Sequence, residues 1–553
     1  MVTEKSLRTL EKYFEKPTRL KTWSGIPVKD VYTPDDIEAT EYQKDLGDPG
    51  QFPYTRGIMP GMYRGRLWSI RELTGASSPR ETNKRLKYLL LEGETGLAPI
   101  GDVTGNLGID SDHPRARGAV GMQGVPMCSL RDMEILMDGI PLDQVSVSLL
   151  LPTPAYAFYI ALVQSQGLDL SKLRGTMPCK GINAPLAGTL PEYLDRESYP
   201  VGIWLRLTTD TLLFLQKNLP RFYALNIGPE GLRESGATPA QEIAIDFCIA
   251  LAHVKDTIRR GATADEILPK VTFTHRCGID IFEEAAKFRA ARRVWARLLR
   301  EEFGTEDPRS LTYKVHVVTM GTPLVRQQPL NNIIRVAYEA LAAILGGVQS
   351  MHTMSYDEPL SLPTEESSRI AVKTQQILCY ETGVVNVADP LGGSYYVEWL
   401  TNKLEEEITQ LIDELKDDIV PAIESGRLIR QFEGQASEYQ REVESGERVV
   451  VGANRFITAE QEDREIKVHE VNEEAVREHM DNLKELRRTR DNRKVRKCLE
   501  QVREVAEDSD ENLYPAMIEA AKTYCTVGEV SGVIRMAYGL EYDVFGMLEY
   551  PFK

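Results

Sequence analysis

Tyr313-Lys314-Val315-His316-Val317-Val318-Thr319 is followed by a run of apolar residues at three- and four-residue steps over 330–345, and then by Gln349-Ser350-Met351-His352-Thr353. The outer segments are short and rich in β-branched or alternating residues, and the middle one has helical periodicity, so the order reads strand, helix, strand. The same rhythm extends outward. Upstream it places strands at 145–151, 225–228 and 271–274 and helices at 239–260 and 281–302, and downstream it places a helix at 365–382. Repeated from Tyr54 to Glu398 with no G-x-G-x-x-G after any strand, this α/β pattern fits a (β/α)8 TIM barrel better than a doubly wound sheet.

Three regions are expected: a Pro- and Gly-interrupted N-terminal arm over 1–53, the barrel over 54–400, and a charged helical C-terminal region over 401–553. Within the C-terminal region, helices are expected at 400–423 and at 471–505, with apolar periodicity returning over 512–538.

The 553 residues are 42% hydrophobic and 27% charged, a composition that supports a large buried core. The seven cysteines are scattered without a C-x-x-C pair, so neither a disulfide framework nor a metal site is expected, and reduced thiols in the cytoplasm are. Residues 1–19 lack an apolar core, and no stretch approaches the ~18 uninterrupted apolar residues of a membrane span. A net charge of −17 argues against nucleic acid as a partner. Any anionic ligand needs a local basic pocket.

No H-E-x-x-H, G-x-S-x-G or G-x-x-x-x-G-K-[ST] occurs, which removes the zincin, hydrolase and P-loop readings. His316 shares a strand face with Lys314, as a lumen histidine or a hydrogen-bonded core one. Glu358 follows a strand's C-terminal end, the active face of a barrel, either as a ligand-binding carboxylate or as a loop brace. Asp389-Pro390-Leu391-Gly392-Gly393-Ser394-Tyr395-Tyr396 reads as a structural turn. Arg196, Arg206 and Arg221 are suited to carboxylate or phosphate oxygens, although surface ion pairs are the plainer reading.

Several collinear segments carry a resemblance. They include Tyr54-Thr55-Arg56-Gly57, Met62-Tyr63-Arg64-Gly65-Arg66-Leu67-Trp68-Ser69-Ile70-Arg71, Gly108-Ile109-Asp110-Ser111-Asp112-His113-Pro114 and Asp138-Gly139-Ile140-Pro141-Leu142-Asp143. Lys287-Phe288-Arg289-Ala290-Ala291-Arg292, Asn331-Asn332, Gln349 to Thr353, Leu362-Pro363-Thr364 and Asp389 to Glu398 continue the set. Together they resemble the large subunits of the coenzyme B12-dependent acyl-CoA mutases, the family of methylmalonyl-CoA, isobutyryl-CoA and 2-hydroxyisobutyryl-CoA mutases. The resemblance implies a barrel threaded by the pantetheine arm of an acyl-CoA, with adenosylcobalamin at the C-terminal face initiating a radical carbon-skeleton rearrangement. The D-x-H-x-x-G signature of the cobalamin domain does not occur, so a separate small cobalamin-binding subunit is expected, in a heterodimer or heterotetramer.

The same resemblance assigns residues. Arg196 matches the arginine that pairs with a substrate carboxylate, and Ile109 replaces a tyrosine that wedges against substrate. The thioester's histidine and its preceding tyrosine fall on Gly231 and Glu230. Glu358 matches the ribose-binding glutamate, with His316 and Met354 also on the cofactor side, Met354 standing where the family has asparagine. Tyr63, Ser69, Arg71, Thr176, Arg221, Thr272 and Gln349 are the expected substrate-binding set. The T-I-Q-N-D motif appears as Thr176-Met177-Pro178-Cys179-Lys180. With the acyl site rebuilt in this way, Lys180, Glu230 and His275 are candidates for replacement polar contacts. An unusual substrate and a non-catalytic subunit paralogous to an active mutase are the two readings this leaves.

Overall fold

The computed structural model describes residues 21–178, 181–187, 199–228, 231–457, 468–508 and 510–552. Ten short strands are present: β1 Ser69–Ile70, β2 Leu73–Thr74, β3 Gly96–Pro99, β4 Ser146–Ser148, β5 Gly175–Thr176, β6 Phe222–Tyr223, β7 Leu225–Ile227, β8 Val271–Cys277, β9 Val315–Thr319 and β10 Ser350–His352. They form two five-stranded sheets, ordered β1-β10-β9-β8-β7 and β2-β3-β4-β5-β6, and every pairing is parallel.

The sheets share both of their ends. β1 and β2 are halves of one extended segment in which Arg71 N donates to Met351 O on one side (3.0 Å) and Ile70 O accepts from Thr95 N on the other (3.0 Å). β6 and β7 are halves of a second, where Tyr223 O accepts from Met177 N (3.1 Å) and Ala224 N donates to Lys270 O (3.2 Å). The pairing therefore runs round a ring of eight parallel segments, with helices such as Pro79–Glu92, Thr153–Ser165, Val201–Asn218, Pro239–Arg259, Ile281–Phe303, Asn331–Leu345 and Glu365–Tyr380 packed outside it. This is the expected (β/α)8 arrangement.

The sequence rhythm places β4, β7, β8, β9 and β10 and misses β1, β2, β3, β5 and β6, which are two to four residues long. So short a strand shows no period-2 pattern of its own.

Beyond β10 the helices differ from expectation. The one expected at 400–423 spans Tyr395–Leu415 and gives way to a short Ile419–Glu424, so the 400/401 boundary cuts through it. Its buried Val397, Leu400, Leu404 and Ile408 pack against Pro239–Arg259 and Ile281–Phe303, joining it to the barrel's outer layer. The single helix expected at 471–505 is two, Glu473–Thr489 and Asn492–Glu507. Asp491 starts the second by accepting from Arg493 N and Lys494 N, and its N-cap conformation breaks the run.

Polar pins hold both ends of the chain to the barrel. In the arm, Trp23 N and Ser24 N donate to the Glu283 carboxylate (2.6 and 2.8 Å). At the other end Asp110 accepts from Thr526 Oγ1 (2.6 Å), Gly528 N (2.9 Å) and Arg487 Nη2 (2.6 Å). His479 bridges Ser111 Oγ (2.9 Å) and Asp132 Oδ1 (3.2 Å). Cys128, Asp132 and His479 thus bring metal-capable atoms within 4.8 Å of one another, but Asp132 also accepts from Cys128 N and Ser129 N, and the group reads as a buried hydrogen-bonded pin. No helix among the described residues is long and apolar enough to cross a membrane.

The turn at 389–396 anchors a fully buried guanidinium: Arg289 pairs with Asp389 and with Glu398 Oε1 (2.6 Å). Removing one partner of such a cluster leaves uncompensated buried charge. Arg289→Ala is expected to lower stability by about 3–5 kcal/mol, read as an earlier urea midpoint; an unchanged midpoint would show that the cluster does not hold the fold.

Candidate active site in the barrel lumen

Strand alternation sorts β8 into two faces. Phe273, His275 and Cys277 are fully buried, with His275 Nε2 3.0 Å from Asp246 Oδ2 and its Nδ1 2.6 Å from Tyr313 OH. That face meets the helices. Thr272, Thr274 and Arg276 therefore point into the ring. Because His275 lies in the wall, it is not available to the acyl group as the sequence reading suggested.

The lumen is polar and lined by small side chains. Asn226 Nδ2 donates to Thr272 Oγ1 (3.1 Å), Thr274 Oγ1 donates to Asn226 Oδ1 (2.8 Å), and His316 Nδ1 lies 2.9 Å from Ser350 Oγ. Across the ring Arg71 donates to Leu97 O and Ser146 Oγ, both at 2.8 Å. Barrels of this kind are ordinarily filled by layers of bulky branched residues. Here Ser69, Ser146, Thr176, His316 and Ser350 remain partly accessible although they sit on the inner wall, so solvent reaches part of that wall. Burial, with the nearby charges of Arg71, His352 and Arg276, holds the His316 imidazole neutral, well below its ordinary pKa.

At the N-terminal mouth, Arg66, Arg221, Lys270 and Lys314 each stand just before a strand. Tyr63 and Gln349 shape this end through the backbone. Tyr63 OH donates to Val348 O (2.8 Å), and Gln349 accepts from Val315 N (2.9 Å) while donating to Gly347 O (2.7 Å). Burial pushes the Lys314 ammonium down to about 8, with Lys270 adding repulsion.

The C-terminal face carries Arg276, Glu234, His352, Met354 and Glu358. His352 Nδ1 lies 2.5 Å from Glu72 Oε2, and Met354 N donates to Thr319 Oγ1 (2.8 Å). Glu358 is partly accessible. Burial raises its carboxyl, while His352 and Arg276 favour the charged form.

The other expected residues are placed as follows. Gly231 lies beyond β7 with φ 71°. Ile109 is 4% exposed and packs with Leu107, Val120 and Val544 in a small separate cluster, not on the lumen wall. Arg206 pairs with Asp210 (3.0 Å) on an outer helix, and Arg221 is exposed at the mouth. Arg196, Glu230, Cys179 and Lys180 lie outside the described residues. Arg276 was missed by the sequence reading, although two successive two-residue steps from Thr272 along the strand lead to it.

A family model described as methylmalonyl-CoA mutase matches residues 21–540. The chain belongs to the methylmalonyl-CoA mutase family. It is 37% identical over 537 residues to the 2-hydroxyisobutanoyl-CoA mutase large subunit of Aquincola tertiaricarbonis, covering 96% of this chain and 94% of that one. It is also 37% identical over 553 residues to methylmalonyl-CoA mutase of Rhizobium meliloti, covering 97% and 76%, and 35% identical over 526 residues to the human mitochondrial enzyme, covering 94% and 68%. These relatives are mutases, a class of isomerases.

In this mutase-family barrel the depressed Lys314 gives anion binding at the mouth a pH dependence. Below about 8 the ammonium is charged and attracts phosphate; as pH rises through that value the attraction is lost. Coenzyme A affinity measured by calorimetry is expected to weaken across this range and to lose the inflection in Lys314→Gln. The same inflection in the variant would place the titrating group elsewhere.

Proposed function

We propose that the chain is the substrate-binding large subunit of an adenosylcobalamin-dependent mutase that rearranges the carbon skeleton of a branched or substituted acyl-CoA. The observation that carries this reading is the polar, partly accessible lumen, which has a basic mouth at one end in a chain of net charge −17 and carboxyl and guanidinium groups at the other. An extended ligand with anionic phosphates and a reactive acyl end matches that polarity.

Arg66, Arg221, Lys270 and Lys314 attract the phosphates, and the serine- and threonine-lined wall admits the narrow pantetheine arm. The neutral His316 and Ser350 offer hydrogen bonds along the way. Because the ring of strands surrounds the ligand, bulk water is kept from the reacting carbon, which a reactive intermediate requires.

The C-terminal face fits the adenosyl end of the cofactor. No hydrogen bond engages the Glu358 side chain among the described residues, and a carboxylate so placed accepts from ribose hydroxyls. When bound, the cofactor supplies hydrogen abstraction and return. A small cobalamin-binding subunit is the proposed partner, in a heterodimer or heterotetramer of the cytoplasm. The name "large subunit" of the Aquincola relative, nearly all of whose length is matched, supports this arrangement. The site assignments of Arg196, Gly231, Glu358, His316 and Met354 belong to the same proposal.

An anaerobic assay with a cognate small subunit, adenosylcobalamin and a panel of acyl-CoAs tests the reading. Rearranged product with at least one thioester is expected, weakened by Glu358→Ala and, for a carboxylate-bearing substrate, by Arg196→Gln. Cofactor binding without product or cob(II)alamin absorbance across the panel would instead favour the non-catalytic paralogue.

A further inference from the structure

Gly231 and Arg276 share one volume. Gly231 holds φ 71°, a left-handed conformation that glycine adopts without strain. A Cβ built on it would meet Arg276 Nε at 2.5 Å and Nη2 at 2.6 Å. The guanidinium therefore occupies the space that a side chain at position 231 would need. Arg276 is also the last lumen-facing residue before the C-terminal end of β8, so its fork lies where the lumen opens onto the active face.

That fork has donors to spare. Arg276 is only 9% exposed, and its Nε has no hydrogen-bond partner among the described residues. Its ion-pair partner Glu234 is distant, with Oε1 3.8 Å from Nε, and is already committed. The Glu234 carboxylate accepts from Gly321 N (2.8 Å), Thr322 N (3.0 Å) and Thr322 Oγ1. A buried guanidinium with unsatisfied N–H groups is costly unless an oxygen supplies the missing acceptor. Glu234 and Glu358 already bring two carboxyl groups near this cation. A polarised neutral oxygen therefore completes the site with less repulsion than a third carboxylate.

We propose that Arg276 donates the hydrogen bonds that hold the thioester carbonyl oxygen of the acyl group, in the volume that Gly231 leaves free. The inference rests on the acyl-CoA reading and deepens it by naming the residue that recognises the thioester. Arg276 binds substrate directly, and Gly231 acts by making room for it.

The test compares two probes on the full-length chain by calorimetry: isobutyryl-CoA, and S-isobutyl-CoA, in which a methylene replaces the thioester carbonyl. The wild-type chain is expected to bind the thioester about 10- to 100-fold more tightly, the range of a hydrogen bond to a charged donor. Arg276→Ala brings thioester affinity down to that of the thioether and leaves thioether affinity unchanged; Arg276→Lys, which retains charge but not the fork, keeps part of the preference. Unaltered thermal melting verifies folding, and Arg276→Gln serves should the alanine variant fail to fold. Equal affinity of the wild-type chain for both probes, or a preference that survives in Arg276→Ala and Arg276→Gln, overturns the proposal and leaves the acyl-CoA reading standing. Failure of the wild-type chain to bind either probe overturns both.

Discussion

A ring of eight parallel segments encloses a space that its own inward side chains normally fill, and those buried layers supply much of the fold's stability. In this chain the inward positions carry Ser69, Ser146, Thr176, Thr272, Thr274, His316 and Ser350, polar side chains that put no apolar plug on the axis. The stability that an apolar plug would give must come from outside the ring. It comes from the apolar layer between strands and helices and from buried ion clusters such as Arg289 with Asp389 and Glu398. The continuation of the chain past β10 belongs to that outer layer. The helix Tyr395–Leu415 lays its apolar face on two barrel helices, and Asp110 ties down the segment near Thr526.

The barrel also has two chemically different ends. The N-terminal mouth gathers cations against the acidic average of the chain, and Lys314 is held there at a cost in its ammonium's stability. Among the described residues, the C-terminal face holds a Glu358 side chain without a hydrogen bond and an Arg276 Nε without a partner. Between the ends, burial keeps His316 uncharged beside the Arg71 guanidinium.

The fold was legible because helices such as Pro239–Arg259 and Ile281–Phe303 carry long periodic patterns and β8 and β9 are long enough to alternate. The strands β1, β2 and β5, two residues each, were not legible, since their extended conformation is imposed by neighbours on both sides. The split at Asp491 was hidden because its flanks are uniformly charged. The position of Glu358 just after a strand was legible, as was the shared strand face of His316 and Lys314. Ile109, matched by resemblance to a substrate wedge, packs instead under Val544, a contact made by a chain end over four hundred residues away that no local pattern encodes. Arg276 was not legible, because only the three-dimensional partners of His275, Asp246 and Tyr313, show which face of β8 is the wall.

The central claim is that the ligand lies inside the ring, and plugging the ring tests it most directly. Thr274, in the lumen layer with His316 and Ser350, replaced by tryptophan would fill the lumen at mid-height without touching either mouth. Calorimetric titration of Thr274→Trp with an acyl-CoA, beside a thermal melt that verifies folding, is predicted to show affinity for the thioester lost while the chain stays folded. Undiminished affinity in the folded variant would contradict the account and put the acyl-CoA somewhere other than the barrel axis.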